Sequence, residues 1–141
     1  MGKLRTAGRS CRAKGIRGEL EAIKILQELT GLDLARRYGQ SANSGHDCTI
    51  PTRPVICLEV KRQEELNLAA WWTQATASAV KAGGIPAVVY RRSRQPWRCI
   101  VPISWLTGEQ WPGEGLAATA VISLEAFAHK ITKEVTSHEV N

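Results

Sequence analysis

The stretch "GHDCTIPTRPVICLEVKRQ", residues 45–63, sets two apolar runs around a proline-bounded turn and places three charges among them. Residues 46–50 and 55–61 read as strands joined by "PTRP", because neither proline can donate to a central ladder. Val55, Ile56, Cys57, Leu58 and Val60 are what a sheet interior requires, whereas Asp47, Glu59 and Lys61 are not. Alternation along the second strand puts Cys57, Glu59 and Lys61 on one face and Ile56, Leu58 and Val60 on the other. The place of Asp47 depends on parity. An odd-length loop or a bulge aligns it with Glu59, and a strict four-residue turn does not.

Upstream, "IRGELEAIKILQEL" (16–29) predicts a helix that stops at Thr30-Gly31. Leu20, Ile23, Ile25, Leu26 and Leu29 supply its apolar content. Glu19 has Ala22, Ile23 and Leu26 at helical spacing and so lies on the core-facing stripe, where an unpaired carboxylate is costly. Glu21 neighbours Lys24, Ile25 and Glu28 and reads as a solvated edge. A short strand is expected near 34–38, then a loop, "GQSANSG".

Downstream, "LAAWWTQATASAVK" (68–81) has helical propensity and ends at Gly83-Gly84. "IPAVVYRR" and "WRCIVPI" read as two strands joined by "SRQP". A Gly/Pro-rich loop near 107–115, a short strand around 118–122 and a helix opening at Ser123 complete the chain. The order α-β-β-β-α-β-β with a small C-terminal appendage predicts one α/β (α+β) domain, a central mixed sheet flanked by helices. We expect a basic N-terminal arm over 1–13, the domain over 14–131 and a polar tail over 132–141.

The chain has 141 residues and a net charge of +6. Its pI near 9.5 favours an acidic partner such as nucleic acid. Lys3, Arg5, Arg9, Arg12, Lys14 and Arg17 meet no acid in the first 17 residues, so the excess charge is concentrated there. That segment reads as a nucleic-acid arm or as a solubilising leader. Cys11, Cys48, Cys57 and Cys99 form no CxxC pair, which fits reduced thiols. No apolar run is long enough to span a bilayer, and no apolar segment follows the basic start as in a secretion signal. A cytoplasmic protein without membrane contact is expected.

Glu19, Asp47 and Glu59 converging with Lys61 would make a hard-cation site. Mg2+ takes oxygen ligands and typically uses one or two carboxylates, waters and substrate phosphate. The same spelling also fits a partly buried ion-pair network without chemistry.

"KGIRGELEAIKIL", "GHDC", "LEVKRQE" and a helix bearing "WWTQA" together resemble the PD-(D/E)XK nuclease superfamily. Within it the likeness is to Holliday junction resolvases of the archaeal and bacteriophage sort, over roughly residues 14–102. The resemblance implies a restriction-endonuclease-like fold and an Mg2+-dependent endonuclease, with Mn2+ able to substitute, leaving 5′-phosphate ends. It implies Asp47 and Glu59 as metal ligands, Glu19 as a contributor to the metal site, Lys61 as the catalytic lysine and Gln74 as its support. His46 stands where a proline often precedes the aspartate. The resemblance further implies a homodimer holding a four-way junction across a basic face. Candidates for that face are Lys14, Arg17, Arg36, Arg37 and Arg62, with Arg91, Arg92, Arg94 and Arg98 around the second hairpin. Ser41, Asn43 and Ser44 are candidates for a phosphate near the scissile bond. Solvation of a hairpin tip and loop flexibility are the competing readings of these last two groups.

Other signals are weaker. Trp71 and Trp72 fit core or interface better than base stacking, and Trp97, Trp105 and Trp111 read the same way. A zinc site from His46, Cys48 and Cys57 lacks the usual fourth ligand. His129 and His138 have no catalytic neighbour, and no serine or cysteine nucleophile is matched to a histidine. A nuclease acting on flaps or linear duplex, and a non-cleaving DNA-binding protein on the same fold, are the alternatives to a junction resolvase.

Overall fold

Strands β1 (Cys48–Ile50) and β2 (Ile56–Arg62) form in the quoted stretch, and the loop between them is five residues long rather than four. Val55 stands outside the β1–β2 pairing, and its carbonyl instead accepts the Ile85 N–H of the neighbouring parallel strand at 2.8 Å. Inside the loop, Thr52 N–H donates to the Ile50 carbonyl and the Thr52 hydroxyl to the Pro54 carbonyl. The computed structural model describes residues 17–34 and 46–140, the last three without their side chains.

Helix α1 covers residues 17–30 and ends where Gly31 takes a positive φ, its N–H donating to the Gln27 carbonyl. After β2 the chain crosses through α2 (Leu68–Ala82) to β3 (Ile85–Arg91), parallel to β2. The Asn67 side chain caps the start of α2, and Gly83 in the left-handed region ends it. β4 (Arg98–Pro102) and β5 (Thr119–Ser123) add antiparallel strands, with α3 (Ile103–Thr107) and a 3-10 turn (Gly115–Ala118) between them. The result is a mixed five-stranded sheet in the order β1-β2-β3-β4-β5. The last helix, α4 (Leu124–Val140), opens with Ser123 Oγ accepting the Ala126 N–H at 3.0 Å.

β2 is buried along its first five residues because both of its faces are covered. On one face α1 and α4 press Ala22, Ile23, Leu26, Phe127 and Ile131 against Ile50, Ile56, Leu58, Val60 and Val89. On the other, α2 presses Trp71, Trp72 and Ala75 against Val88, Tyr90 and Ile100. The expected fold class therefore stands. Leu20 and Leu29 do not join the core; they are nearly half-exposed, since α1 turns only its Ala22–Ile23–Leu26 stripe to the sheet. α4 continues to Val140 through the segment expected as a polar tail, with Ile131 and Val135 holding its second half on the core. The expected strand near 34–38 lies outside the described residues apart from Leu34, which is buried.

Phe127 is fully buried and packs tilted against Trp105, ring centroids 5.6 Å apart. Phe127→Ala should cost about 3–5 kcal/mol of stability, read as a lower urea midpoint without a change in slope.

Candidate active site

The odd loop length fixes the register. Cys48 pairs with Leu58, so one step further Asp47 stands opposite Glu59 on the face covered by α2. Asp47 N–H donates to the Leu58 carbonyl at 2.9 Å, and Asp47 Oδ2 accepts the Val60 N–H at 2.8 Å. The carboxylate thus continues the ladder where the strand has ended, which orients it against β2.

Glu59 is only 3% exposed and shares a side-chain hydrogen bond with Asp47, while its Oε1 is buried with no donor among the described residues. Burial pushes the Glu59 carboxyl up to about 8. The Asp47 charge, the hydrogen bond from Asp47 and the Glu19 charge push the same way, and Lys61 opposes them. Burial and the facing Asp47 carboxylate together favour the protonated form of Glu59 in this dry corner. A hard cation could replace that proton.

Lys61 lies on the same face one alternation further, half-buried. Its Nζ donates to Gln74 Oε1 of α2 at 3.2 Å, so the helix over this face restrains the ammonium.

Glu19 arrives from the opposite layer. A Cβ on Gly18 would lie 2.7 Å from Arg62 Cβ, so only glycine lets the first turn of α1 rest on the end of β2. That approach brings half-buried Glu19 within electrostatic reach of Glu59. Glu21, expected on a solvated edge, ties the same turn down. Its Oε1 accepts from Arg91 Nη1 at 3.0 Å and from Trp97 Nε1 at 3.3 Å, with the Arg91 guanidinium 5.5 Å from the Trp97 ring centre. These partners lie 70 and 76 residues away, beyond any helical spacing rule.

The other candidates divide. Arg17, Arg92 and Arg94 are exposed and Arg62 is half-buried beneath α1. Arg91, expected at a free hairpin tip, is instead engaged by Glu21 and Trp97. The tip is fastened to the loop after β2, where Ser93 N–H and hydroxyl both donate to Glu64 Oε1. Lys14, Arg36, Arg37, Ser41, Asn43 and Ser44 lie outside the described residues. Trp71 and Trp72 are buried against the sheet, so neither offers a ring to a base, whereas Trp111 is nearly half-exposed. The zinc reading fails on geometry, since Cys48 pairs with Leu58 on one face and Cys57 with Thr49 on the other.

Among the described residues no three His, Cys, Asp or Glu side chains form a cage for a metal ion. A buried carboxylate pair with one unpartnered oxygen fits a cation that keeps waters and takes further oxygens from its substrate.

The raised Glu59 carboxyl has a consequence for stability. The folded protein keeps a proton that the unfolded chain releases above its ordinary pKa of 4.5, so stability falls as pH rises from there towards 8. In EDTA, wild type should lose a few kcal/mol more than Glu59→Gln over that window, since each tenfold fall in proton concentration is worth about 1.4 kcal/mol. Denaturant melts of both proteins at pH 5 and 8 measure the difference.

Three comparisons bear on this geometry. Protein D14 of Escherichia phage T5 is 28% identical over 107 residues, 61% of this chain and 67% of the relative. Hjc, a Holliday junction resolvase from the archaeal hyperthermophile Archaeoglobus fulgidus, shares the fold at a TM-score of 0.52. That likeness covers 82% of this chain and 98% of Hjc, at 19% identity. Among the described residues no helix is long and apolar enough to cross a membrane. The model of the phage PDDEXK endonucleases matches residues 10–139, nearly the whole length, and the chain belongs to that family of nucleases.

Proposed function

We propose that this endonuclease is divalent-metal-dependent and cuts branched DNA, four-way junctions above all, as a homodimer. Asp47 and Glu59 would hold Mg2+, or Mn2+ in its place, and Glu19 would complete the shell through water or directly. The observation that carries this reading is the Asp47–Glu59 carboxyl pair set opposite each other across β1 and β2, whose buried Glu59 Oε1 has no donor among the described residues. Such an oxygen pair is a poor resting state for a protein and a good one for a cation.

When bound, the cation supplies a Lewis acid for the phosphodiester and lowers the pKa of a coordinated water. The remaining roles fall to the chain. Asp47, anchored on the Val60 N–H, keeps the pair aimed in one direction. The Lys61 ammonium, held by Gln74, offers positive charge to the phosphoryl oxygens as charge develops in the in-line transition state. The side chains of α2 keep bulk water from the back of Glu59.

The junction preference draws on the fold shared with a Holliday junction resolvase and on basic residues placed around the site. Arg17 lies at the start of α1, and Arg92 and Arg94 lie at the hairpin tip, all exposed. The dimer draws on exposed apolar side chains of touching elements, Val80 of α2, Leu116 of the 3-10 turn and Val121 of β5.

Asp47→Asn and Lys61→Ala should each lower cleavage by at least about 100-fold while leaving junction binding in EDTA largely intact. Mg2+ should raise the melting temperature of wild type at pH 8 and have little effect on Asp47→Asn. Cleavage of four-way, flap and linear substrates side by side tests the preference. Wild-type rates in both variants would sink the site assignment. A wild-type protein that binds but never cuts with Mg2+ or Mn2+ would sink the catalytic reading.

A further inference from the structure

Four arginines crowd the β3–β4 hairpin, and the strand register sends two of them to opposite faces. Arg91 is the neighbour of Arg62 on the face of α1, where Glu21 holds it. Arg98 is the cross-strand partner of Tyr90, which is in turn the partner of Lys61. Lys61, Tyr90 and Arg98 therefore form a row across three adjacent strands, on the face that carries the carboxyl pair. Two strand spacings separate the ends of the row, about 10 Å.

Arg98 and the Tyr90 hydroxyl have no other evident task among the described residues. Arg98 is exposed and makes no ion pair or side-chain hydrogen bond among the described residues. The Tyr90 ring is packed at 5.9 Å against Trp71, which fixes its direction. Its hydroxyl has no hydrogen-bond partner among the described residues and is not among the sealed polar atoms. Arg98 stands close enough for its charge to act on that hydroxyl. A planar guanidinium beside a fixed hydroxyl presents several donors, which suits a phosphate.

The row also meets an electrostatic need. Asp47, Glu59 and Glu19 repel a DNA backbone until they are neutralised. A permanent positive charge about one Debye length from them can hold the strand without being quenched by the same acids.

We propose that Arg98 and the Tyr90 hydroxyl grip a backbone phosphate a few nucleotides along the strand from the one facing Lys61, and that Arg91 belongs to the scaffold and touches no phosphate. The span of the row corresponds to about two to three nucleotide steps along the DNA axis. This inference rests on the proposed nuclease site, since it takes Lys61 as the point where the scissile phosphate lies.

The test is the salt dependence of binding to a labelled four-way junction in EDTA, with cleavage in Mg2+ measured alongside. Arg98→Ala should weaken binding about three- to tenfold and flatten the log–log salt slope by about 0.9. Its cleavage defect should fall mainly on KM. Arg98→Lys should keep the slope while losing part of the affinity. Tyr90→Phe should weaken binding about two- to threefold with the slope unchanged, and less so when Arg98 is already alanine. Lys133→Ala, which removes the same charge from an exposed position on α4, should leave the slope as it is, and so should Arg91→Gln despite a lower melting temperature. A folded Arg98→Ala protein with the wild-type slope, or Arg91→Gln with a flattened one, overturns the inference and leaves the nuclease site standing. Wild type that neither binds nor cuts DNA would fail the proposed function itself.

Discussion

Everything at the candidate site depends on the pairing of Asp47 with β2. Its backbone takes the last ladder position through Leu58, and its carboxylate takes the next through Val60. The side chain acts as an extra rung. This holds an acidic group opposite Glu59 in a corner sealed by α2, where burial and the neighbouring charge together disturb the ionisation of Glu59. Coulomb repulsion between two carboxylates is modest in water and large where water is excluded. The fold therefore maintains a local electrostatic conflict that a proton or a cation resolves.

Much of this was legible from sequence. Alternation in "VICLEVKR" assigned Glu59 and Lys61 to one face, and the helical stripe of α1 turned Glu19 inward. Parity was not legible. Whether Val55 pairs with β1 depends on the backbone geometry of the 51–55 loop, which residue alternation alone does not specify. Glu21 and Arg91 were misread for a related reason. Local spacing describes a helix face and a hairpin tip separately, whereas the packing of α1 across the ends of β3 and β4 brings the two together. The polar composition after residue 131 pointed to a tail, yet Val135 and the continuing helical register keep α4 intact.

The sheet separates two kinds of work. On the face of α1 and α4, charged groups such as Arg91 and Glu21 are paired and act as fasteners. On the face of α2, Glu59 Oε1, the Tyr90 hydroxyl and Arg98 find no side-chain hydrogen-bond partner among the described residues. α2 covers the middle of its face with Trp71, Trp72 and Ala75 and stops short of Arg98.

The close approach of Gly18 to Arg62 makes the position of Glu19 depend on long-range packing. Asp47 and Glu59 meet through a hairpin, a short-range contact that can form early. Glu19 reaches them only when α1 has closed over the far side of a sheet whose β2–β3 pairing already requires the α2 crossover. The third carboxylate is thus delivered by long-range packing rather than by a neighbouring turn. A chain caught before that closure would hold only two of the three acids of the proposed centre, so cutting in the proposed reading would wait for the finished fold.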